Sequence, residues 1–146
     1  MTIPRSSPLI DELTRPFWTS GCDGVLSILR CSNCAYWIHP PAPRCRNCRS
    51  NQVGAQPGSG RGSVYSFTVN HHPWNESVTE PYVVAIVELD EQAGLRLTTN
   101  IIGCDPDTVY VGMQVVVDFL PHEDAWLPVF RPGPRVGVAE PEVVAT

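Results

Sequence analysis

A chain of 146 residues with 42% hydrophobic and 17% charged residues can build one ordinary globular core, which excludes a wholly disordered protein. Its start, MTIPRSSPLIDELTRPFW, lacks the basic residues, apolar run and cleavage site of a secretory signal, and no apolar stretch could span a bilayer. We therefore expect a cytoplasmic protein, in a compartment where disulfides are rare. The net charge of −5 is unevenly spread, because residues 1–75 carry +4 and residues 76–146 carry −9.

A short helix is predicted within the N-terminal segment, residues 1–24. Thr14 is a candidate N-cap, and Pro16 suits the first turn of a helix. The helix carries Phe17 and Trp18 and ends at the glycines that follow. It is short and aromatic, so we expect it to pack on its own barrel or on another chain.

Two CxxC pairs define the next segment, residues 25–56. Each CxxC forms a tight turn whose thiolates converge on one ion, and four thiolates complete a tetrahedral zinc shell. Iron fits the same sulfurs, and two disulfides or an empty site are the remaining alternatives. We predict one structural zinc, with no open position for catalysis. The ligands are Cys31, Cys34, Cys45 and Cys48.

Other residues near the metal segment have less specific roles. Cys22 and Cys104 fall outside the pattern and are expected to be buried free thiols. A basic cluster beside the second CxxC either balances the thiolates or binds the phosphate of a nucleotide-bearing cofactor. This cluster consists of Arg44, Arg46 and Arg49.

The remainder of the chain is predicted to be β. A glycine-rich hinge at residues 56–62 leads into five runs rich in β-branched and aromatic residues, separated by turn residues. Five strands suit an OB-fold barrel, which we assign to residues 57–132. Residues 133–146 are expected to form a flexible tail. The fold class is therefore mainly β: a short helix, a zinc ribbon and a C-terminal barrel.

The functional motifs of common enzymes are absent from the sequence, including GxGxxG after a strand, GxSxG and HExxH. His71 and His72 lie in a predicted loop, and no residue can be assigned to orient either as a catalytic base. An OB barrel suggests a single-stranded nucleic-acid-binding module, but the −9 carried by residues 76–146 opposes phosphate binding.

The order of the sequence blocks resembles the zinc-ribbon OB-fold family known as domain of unknown function thirty-five. The blocks are FW, LRCSNCAYWIHPPAPRCRNCRS, GRGSVYSFTV, PYVVAIVELDE, IIGCDPDTVYVGMQVVVDF and PVFRP. The resemblance covers about residues 15–132 and implies an N-terminal helix, a rubredoxin-like zinc ribbon and an OB barrel.

The same resemblance implies a function. Family members are companions of thiolase-superfamily enzymes, including lipid-transfer-protein-like aldolases acting on acyl-CoA thioesters, and some are fused to hydratase domains. The resemblance implies that this chain is a non-catalytic subunit that stabilises its partner and helps enclose the CoA ester, with a steroid side chain as one substrate class. The complex would be a hetero-oligomer that does not associate with a membrane.

Exposed aromatic residues would make suitable anchors for such a partner, because aromatic side chains dominate interface energetics. The alternative is that they fill the space between ribbon and barrel. The candidate anchors are Phe17, Trp18, Tyr36 and Trp37.

Overall fold

The computed structural model describes residues 7–72 and 80–133. The metal segment forms a three-stranded antiparallel sheet in the order β2-β1-β3. Its strands are β1 (Ser27–Cys31), β2 (Trp37–Ile38) and β3 (Val53–Pro57). The sequence patterns do not separate these strands, because all three are short and a cysteine turn lies between each strand and the next.

The second half of the described chain is a closed five-stranded barrel in the order β4-β5-β6-β8-β7, with β7 pairing back onto β4. All pairs are antiparallel except β6 with β8. This confirms the mainly β class and the five-stranded OB barrel. The strands are β4 (Arg61–Asn70), β5 (Tyr82–Leu89), β6 (Arg96–Ile101), β7 (Gln114–His122) and β8 (Ala125–Pro132).

Buried and less buried side chains alternate along two of the barrel strands. In β5, every second residue from Val83 to Leu89 is buried. In β6 the same holds from Leu97 to Ile101. Since successive side chains of a strand point to opposite faces, one face of each strand fills the barrel core and the other faces outward.

The predicted helix is present as α1 (Arg15–Thr19) and continues as a 3-10 turn, Ser20–Asp23, that ends at Gly24 in the left-handed conformation. Its cap differs from the expectation, because Thr14 makes no side-chain cap bond to the helix. Instead Asp11 and Thr14 exchange hydrogen bonds: each backbone N–H donates to the other's side chain, at 2.9 and 3.0 Å. A turn that begins at Asp11 therefore stabilises the helix start.

Helix α1 packs on its own chain. Phe17 is buried in the same cluster as the barrel core residues. Gly21 allows the close approach, since a Cβ there would lie 2.5 Å from Phe119 and 2.6 Å from Trp126. Those contacts are side-chain carbons of β7 and β8, so any larger residue would displace the helical segment from the barrel.

The ribbon and the barrel are joined by direct hydrogen bonds. Gln92, in the turn between β5 and β6, accepts from Trp37 N–H at 2.9 Å and donates to the Trp37 carbonyl at 3.0 Å. In the connecting segment, Gly58 N–H donates to the Leu26 carbonyl at 2.7 Å, and Ser59 N–H donates to Glu91. The predicted glycine-rich hinge is thus reduced to three residues between β3 and β4, and those residues are tied to both sides.

No helix in the described part of the chain is long and apolar enough to cross a membrane. The predicted flexible tail, apart from Gly133, and residues 1–6 of the N-terminal segment lie outside the described residues.

We expect Gln92→Ala to lower the free energy of unfolding by about 1–3 kcal/mol, because it leaves the backbone N–H and carbonyl of buried Trp37 without their side-chain partner. Urea denaturation measures the change. Gln52→Ala, in an exposed position, is the matched control and should stay within about 0.5 kcal/mol of the wild type. Equal stabilities for the two variants would contradict the role of Gln92.

Candidate metal centre and the surfaces around it

The four cysteines of the two CxxC pairs converge on one point. Their Sγ atoms all lie within 4.8 Å of one another. The Cys31–Cys48 and Cys34–Cys45 Sγ distances are 3.6 and 3.5 Å. A tetrahedron with zinc–sulfur bonds of about 2.3 Å has edges of about 3.8 Å, so the cluster fits one zinc ion.

Each CxxC turn is built in the same way. Ala35 N–H donates to the Cys31 carbonyl at 2.9 Å, and Arg49 N–H donates to the Cys45 carbonyl at 2.8 Å. Both donors have positive φ, 67° and 69°, which closes each turn just past its second cysteine. Residues other than glycine rarely adopt a positive φ, and the backbone hydrogen bonds hold Ala35 and Arg49 in this conformation.

Two asparagines link the turns across the cluster. Asn33 Nδ2 donates to Cys48 Sγ at 3.4 Å, and Asn47 Nδ2 donates to Cys34 Sγ at 3.4 Å. The sequence signal for them is the repeated pattern CSNC and CRNC, with Asn before the second cysteine of each pair. Sequence reasoning missed these residues because it considered only the metal ligands. Outer partners of this kind orient metal ligands.

The hydrogen bonds also prepare thiolates for a cation. Asn33 is the main cause that lowers the pKa of Cys48 to about 6, and Asn47 is the main cause that lowers the pKa of Cys34. Burial instead raises the pKa of Cys45. A divalent cation would offset that cost, because a coordinating thiol is deprotonated by the metal.

The two cysteines outside the cluster are not buried as expected. Cys22 is exposed in the 3-10 turn after α1, and Cys104 is partly exposed in the turn after β6. Both thiols are free, as expected, but the expectation of burial was wrong for Cys22 and holds only in part for Cys104, which packs against the barrel core. Both lie in turns rather than on the inward faces of strands.

The basic cluster beside the second CxxC is exposed at all three residues. Arg44 Nη1 donates to the Arg49 carbonyl at 3.0 Å and so braces the turn. Arg46 and Arg49 are exposed beside the cysteine cluster. Arg44 therefore has a structural contact, and binding of a phosphate by this cluster stays a prediction.

The four candidate interface aromatics divide into two groups. Phe17 and Trp37 are only 7% and 8% exposed, so they pack within this chain and offer little area to a partner. Trp18 and Tyr36 are partly exposed. The guanidinium carbon of Arg30 lies 4.5 Å from the centroid of the Trp37 ring, so Arg30 covers one face of that ring.

An apolar groove of about 630 Å³ lies beside the point where α1 packs on the barrel. It is lined by α1, by the residues after β2 and by the barrel. Trp18, His39 and Pro40 form one wall, and Val84 and Leu127 belong to the other. Burial lowers the pKa of His39 from 6.5 to about 4, so its imidazole is neutral at neutral pH. Its ring lies 4.9 Å from that of Phe17, and it acts as a packing residue.

The loop histidines lie where β4 ends. His71 and His72 are both exposed, and Trp74 of the same loop lies outside the described residues. Across residues 7–72 and 80–133, the four cysteines are the only group of three or more His, Cys, Asp and Glu side chains arranged to hold a metal.

These features define a zinc-ribbon OB-fold protein, in which a four-cysteine ribbon packs against a five-stranded barrel. The model of the ChsH2 rubredoxin-like zinc ribbon domain matches residues 18–54, and that of the ChsH2 C-terminal OB-fold domain matches residues 55–120. The chain belongs to this family, also called DUF35, which confirms the resemblance found in the sequence.

A solved structure named as the Ltp2-ChsH2(DUF35) aldolase contains a similar chain. The two chains are 40% identical with a TM-score of 0.76, and the match covers 86% of this chain and 98% of that one. At that coverage the likeness extends over both the ribbon and the barrel.

Two curated relatives are longer proteins. The probable enoyl-CoA hydratase alpha subunit of Thermomonospora curvata is 46% identical over 129 residues, 88% of this chain and 40% of that protein. The 3-oxo-4,17-pregnadiene-20-carboxyl-CoA hydratase alpha subunit of Mycobacterium tuberculosis is 38% identical over 94 residues, 62% of this chain and 30% of that protein. This chain thus spans less than half of either relative.

We expect one zinc ion per chain, and expect Cys31→Ser to lose the metal and unfold the ribbon while the barrel strands persist. Elemental analysis gives the zinc content, and hydrogen exchange reports the ribbon and barrel separately. Cys22→Ser, an exposed cysteine outside the cluster, is the control and should keep one zinc. A metal-free wild type with an intact ribbon would contradict the structural role of the ion.

Acid should destabilise the protein through His39. Its folded pKa lies below the unfolded value of 6.5, so the unfolded state binds the proton first and stability falls as pH drops from 6.5 towards about 4. Between pH 7.5 and pH 5 the loss from this group should be roughly 2 kcal/mol. His39→Gln keeps the zinc cluster but removes the titration, so urea denaturation should show a smaller loss. An identical pH dependence for both proteins would rule out this role.

Proposed function

We propose that this chain is a non-catalytic subunit of an enzyme complex acting on acyl-CoA thioesters. The single observation that carries the proposal is the likeness to a chain of the Ltp2-ChsH2(DUF35) aldolase, which extends over 98% of that chain. The proposed partner is a thiolase-superfamily aldolase that cleaves a carbon–carbon bond of a β-hydroxyacyl-CoA, giving a carbonyl product and a shortened acyl-CoA.

The chemistry of the described residues supports a non-catalytic role. Four thiolates fill the coordination shell of zinc and leave no position at which the metal could activate water or polarise a carbonyl. Buried His39 is neutral and packs against Phe17, so it is poorly placed to exchange a proton with a substrate. In the proposed complex, the nucleophile and the acid–base groups therefore belong to the partner.

The proposed substrate class follows from the relatives. Both curated relatives are named as alpha subunits of CoA-ester hydratases, and one of those names specifies a steroid-derived acyl group. A steroid side-chain thioester is accordingly the substrate that we propose for the complex. Six cysteines without a disulfide suit a reducing cytoplasm, where we propose that the complex works.

We further propose that the exposed arginines beside the second CxxC lie near the phosphates of CoA. Guanidinium groups bind phosphate oxygens in pairs, and Arg46 and Arg49 leave their side chains accessible. Arg44 contributes indirectly, by holding the turn through the Arg49 carbonyl. Trp18 and Tyr36 are proposed contacts to the partner.

A single-stranded nucleic-acid-binding module is the alternative function of an OB barrel. Residues 80–133 carry nine carboxylates against Arg96 and Arg131, a net of −7, which repels a phosphate backbone. The charge therefore favours the acyl-CoA complex.

Co-expression with a thiolase-like aldolase tests the proposal. We expect the pair to co-elute in size-exclusion chromatography and to cleave a β-hydroxyacyl-CoA, while this chain alone shows no turnover. The partner should lose solubility or activity when produced without this chain. A partner equally soluble and active alone would refute the companion role. Salt-sensitive micromolar binding of mixed oligonucleotides, followed by fluorescence anisotropy, would favour the alternative.

A further inference from the structure

Part of the outer face of the barrel is aromatic and exposed. Four large hydrophobic side chains are more than one-third exposed within the described residues, and three of them lie around the start of β4. Tyr65 is 47% exposed, Tyr110 60% and Val111 64%. Together with Arg96, these residues form what we call the Tyr65 surface.

The backbone brings the members of this surface together. The pairing of β4 with β5 shifts register between Val64 and Ser66, which is a bulge at Tyr65. Val64 is buried, so the alternation of side chains along the strand points Tyr65 outward, and after the bulge Ser66 is exposed as well. Val64 donates to the Met113 carbonyl at 3.0 Å and accepts from Gly112 N–H at 2.8 Å. The turn that carries Tyr110 and Val111 is therefore held beside the residue that precedes Tyr65.

Arg96 is fixed in place before any partner binds. Its guanidinium carbon lies 3.7 Å from the centroid of the Tyr65 ring, and its Nε lies 3.6 Å from Glu88 Oε2. Arg96 also lines the barrel side of the groove beside α1, so the Tyr65 surface continues into the groove whose other wall contains Trp18. A side chain that is already ordered loses less conformational entropy on binding.

The same geometry disfavours nucleic acid as the occupant. A base would stack on an open aromatic face, but Arg96 already covers one face of Tyr65. Glu88 lies beside Arg96, and residues 80–133 as a whole carry a net charge of −7. A protein with an apolar centre and basic residues around it is complementary to this arrangement.

We infer that the Tyr65 surface is the face on which the partner subunit docks, an inference that rests on the proposed function. Tyrosine and arginine are enriched among the residues that carry interface energy, particularly where apolar neighbours exclude water around them. Tyr65 and Arg96 supply those residue types, and Tyr110 and Val111 supply the apolar surroundings. The partner's contacting face carries basic residues opposite the carboxylates of this chain.

The test measures binding of the purified full chain to a thiolase-like aldolase subunit. Tyr65→Ala should raise the dissociation constant about tenfold or more, as expected for an interface anchor. Val111→Asp should raise it at least as much, because it places a further carboxylate in an apolar contact. The association rate should fall as salt rises, since opposite charges steer the encounter.

Gln56→Asp is the matched control, since it adds the same charge at an exposed position on β3 of the ribbon. All variants should keep one zinc and the wild-type melting temperature, which separates lost binding from lost folding. If the wild type binds and both surface variants bind equally well, the inference fails while the proposed function stands. If the wild type forms no complex, the proposed function fails and the inference with it. Wild-type self-association abolished by Val111→Asp, or oligonucleotide binding abolished by Tyr65→Ala, would assign the surface to another occupant and overturn the inference.

Discussion

Convergence of four thiolates on one point is the constraint on which the ribbon depends. Its three strands comprise five, two and five residues, and its own core cluster holds four buried residues, two of which are metal cysteines. Such a segment buries too little apolar surface to offset the entropy of ordering its chain. Ion coordination supplies the missing free energy, and the hydrogen bonds of Asn33 and Asn47 favour the thiolates that the ion requires.

The barrel then fixes where the ribbon lies. The Gln92 side chain accepts a hydrogen bond from Trp37 N–H and donates one to the Trp37 carbonyl. It thus makes the two hydrogen bonds that a neighbouring strand would make through its backbone. Phe17 and Trp37 fill the space behind this joint. These two aromatics are buried, whereas Tyr65 and Tyr110 on the barrel are 47% and 60% exposed.

These constraints suit a subunit that acts by shape. Four cysteines complete the coordination shell of the zinc, and buried His39 is neutral. The segment between β3 and β4 is hydrogen-bonded to both the ribbon and the barrel. A scaffold of this kind can hold an arginine and two tyrosines at fixed positions on its outside. Rigidity of the contacting face matters for a companion subunit. Every side chain that becomes ordered on binding loses conformational entropy, and that loss weakens the association.

The sequence by itself determined the elements whose signals are local. Cysteine spacing predicted the zinc ligands, β-branched runs bounded by turn residues predicted the five barrel strands, and Pro16 with Gly24 bracketed the helix. The ordered blocks also indicated the family, and with it the ribbon. Each of these signals depends on residues close together in the chain, or on spacings that the chemistry of the metal fixes.

Tertiary structure alone decided what depends on contacts between distant residues. Gln92 and Trp37 are 55 positions apart, and nothing in a turn glutamine announces that it will pair with a tryptophan backbone. Burial of Phe17 and exposure of Tyr65 could not be read from residue type, because an aromatic side chain serves a core and an interface equally well. Cys22 and Cys104 were misjudged for the same reason, since a thiol is buried or exposed according to the elements that pack around it.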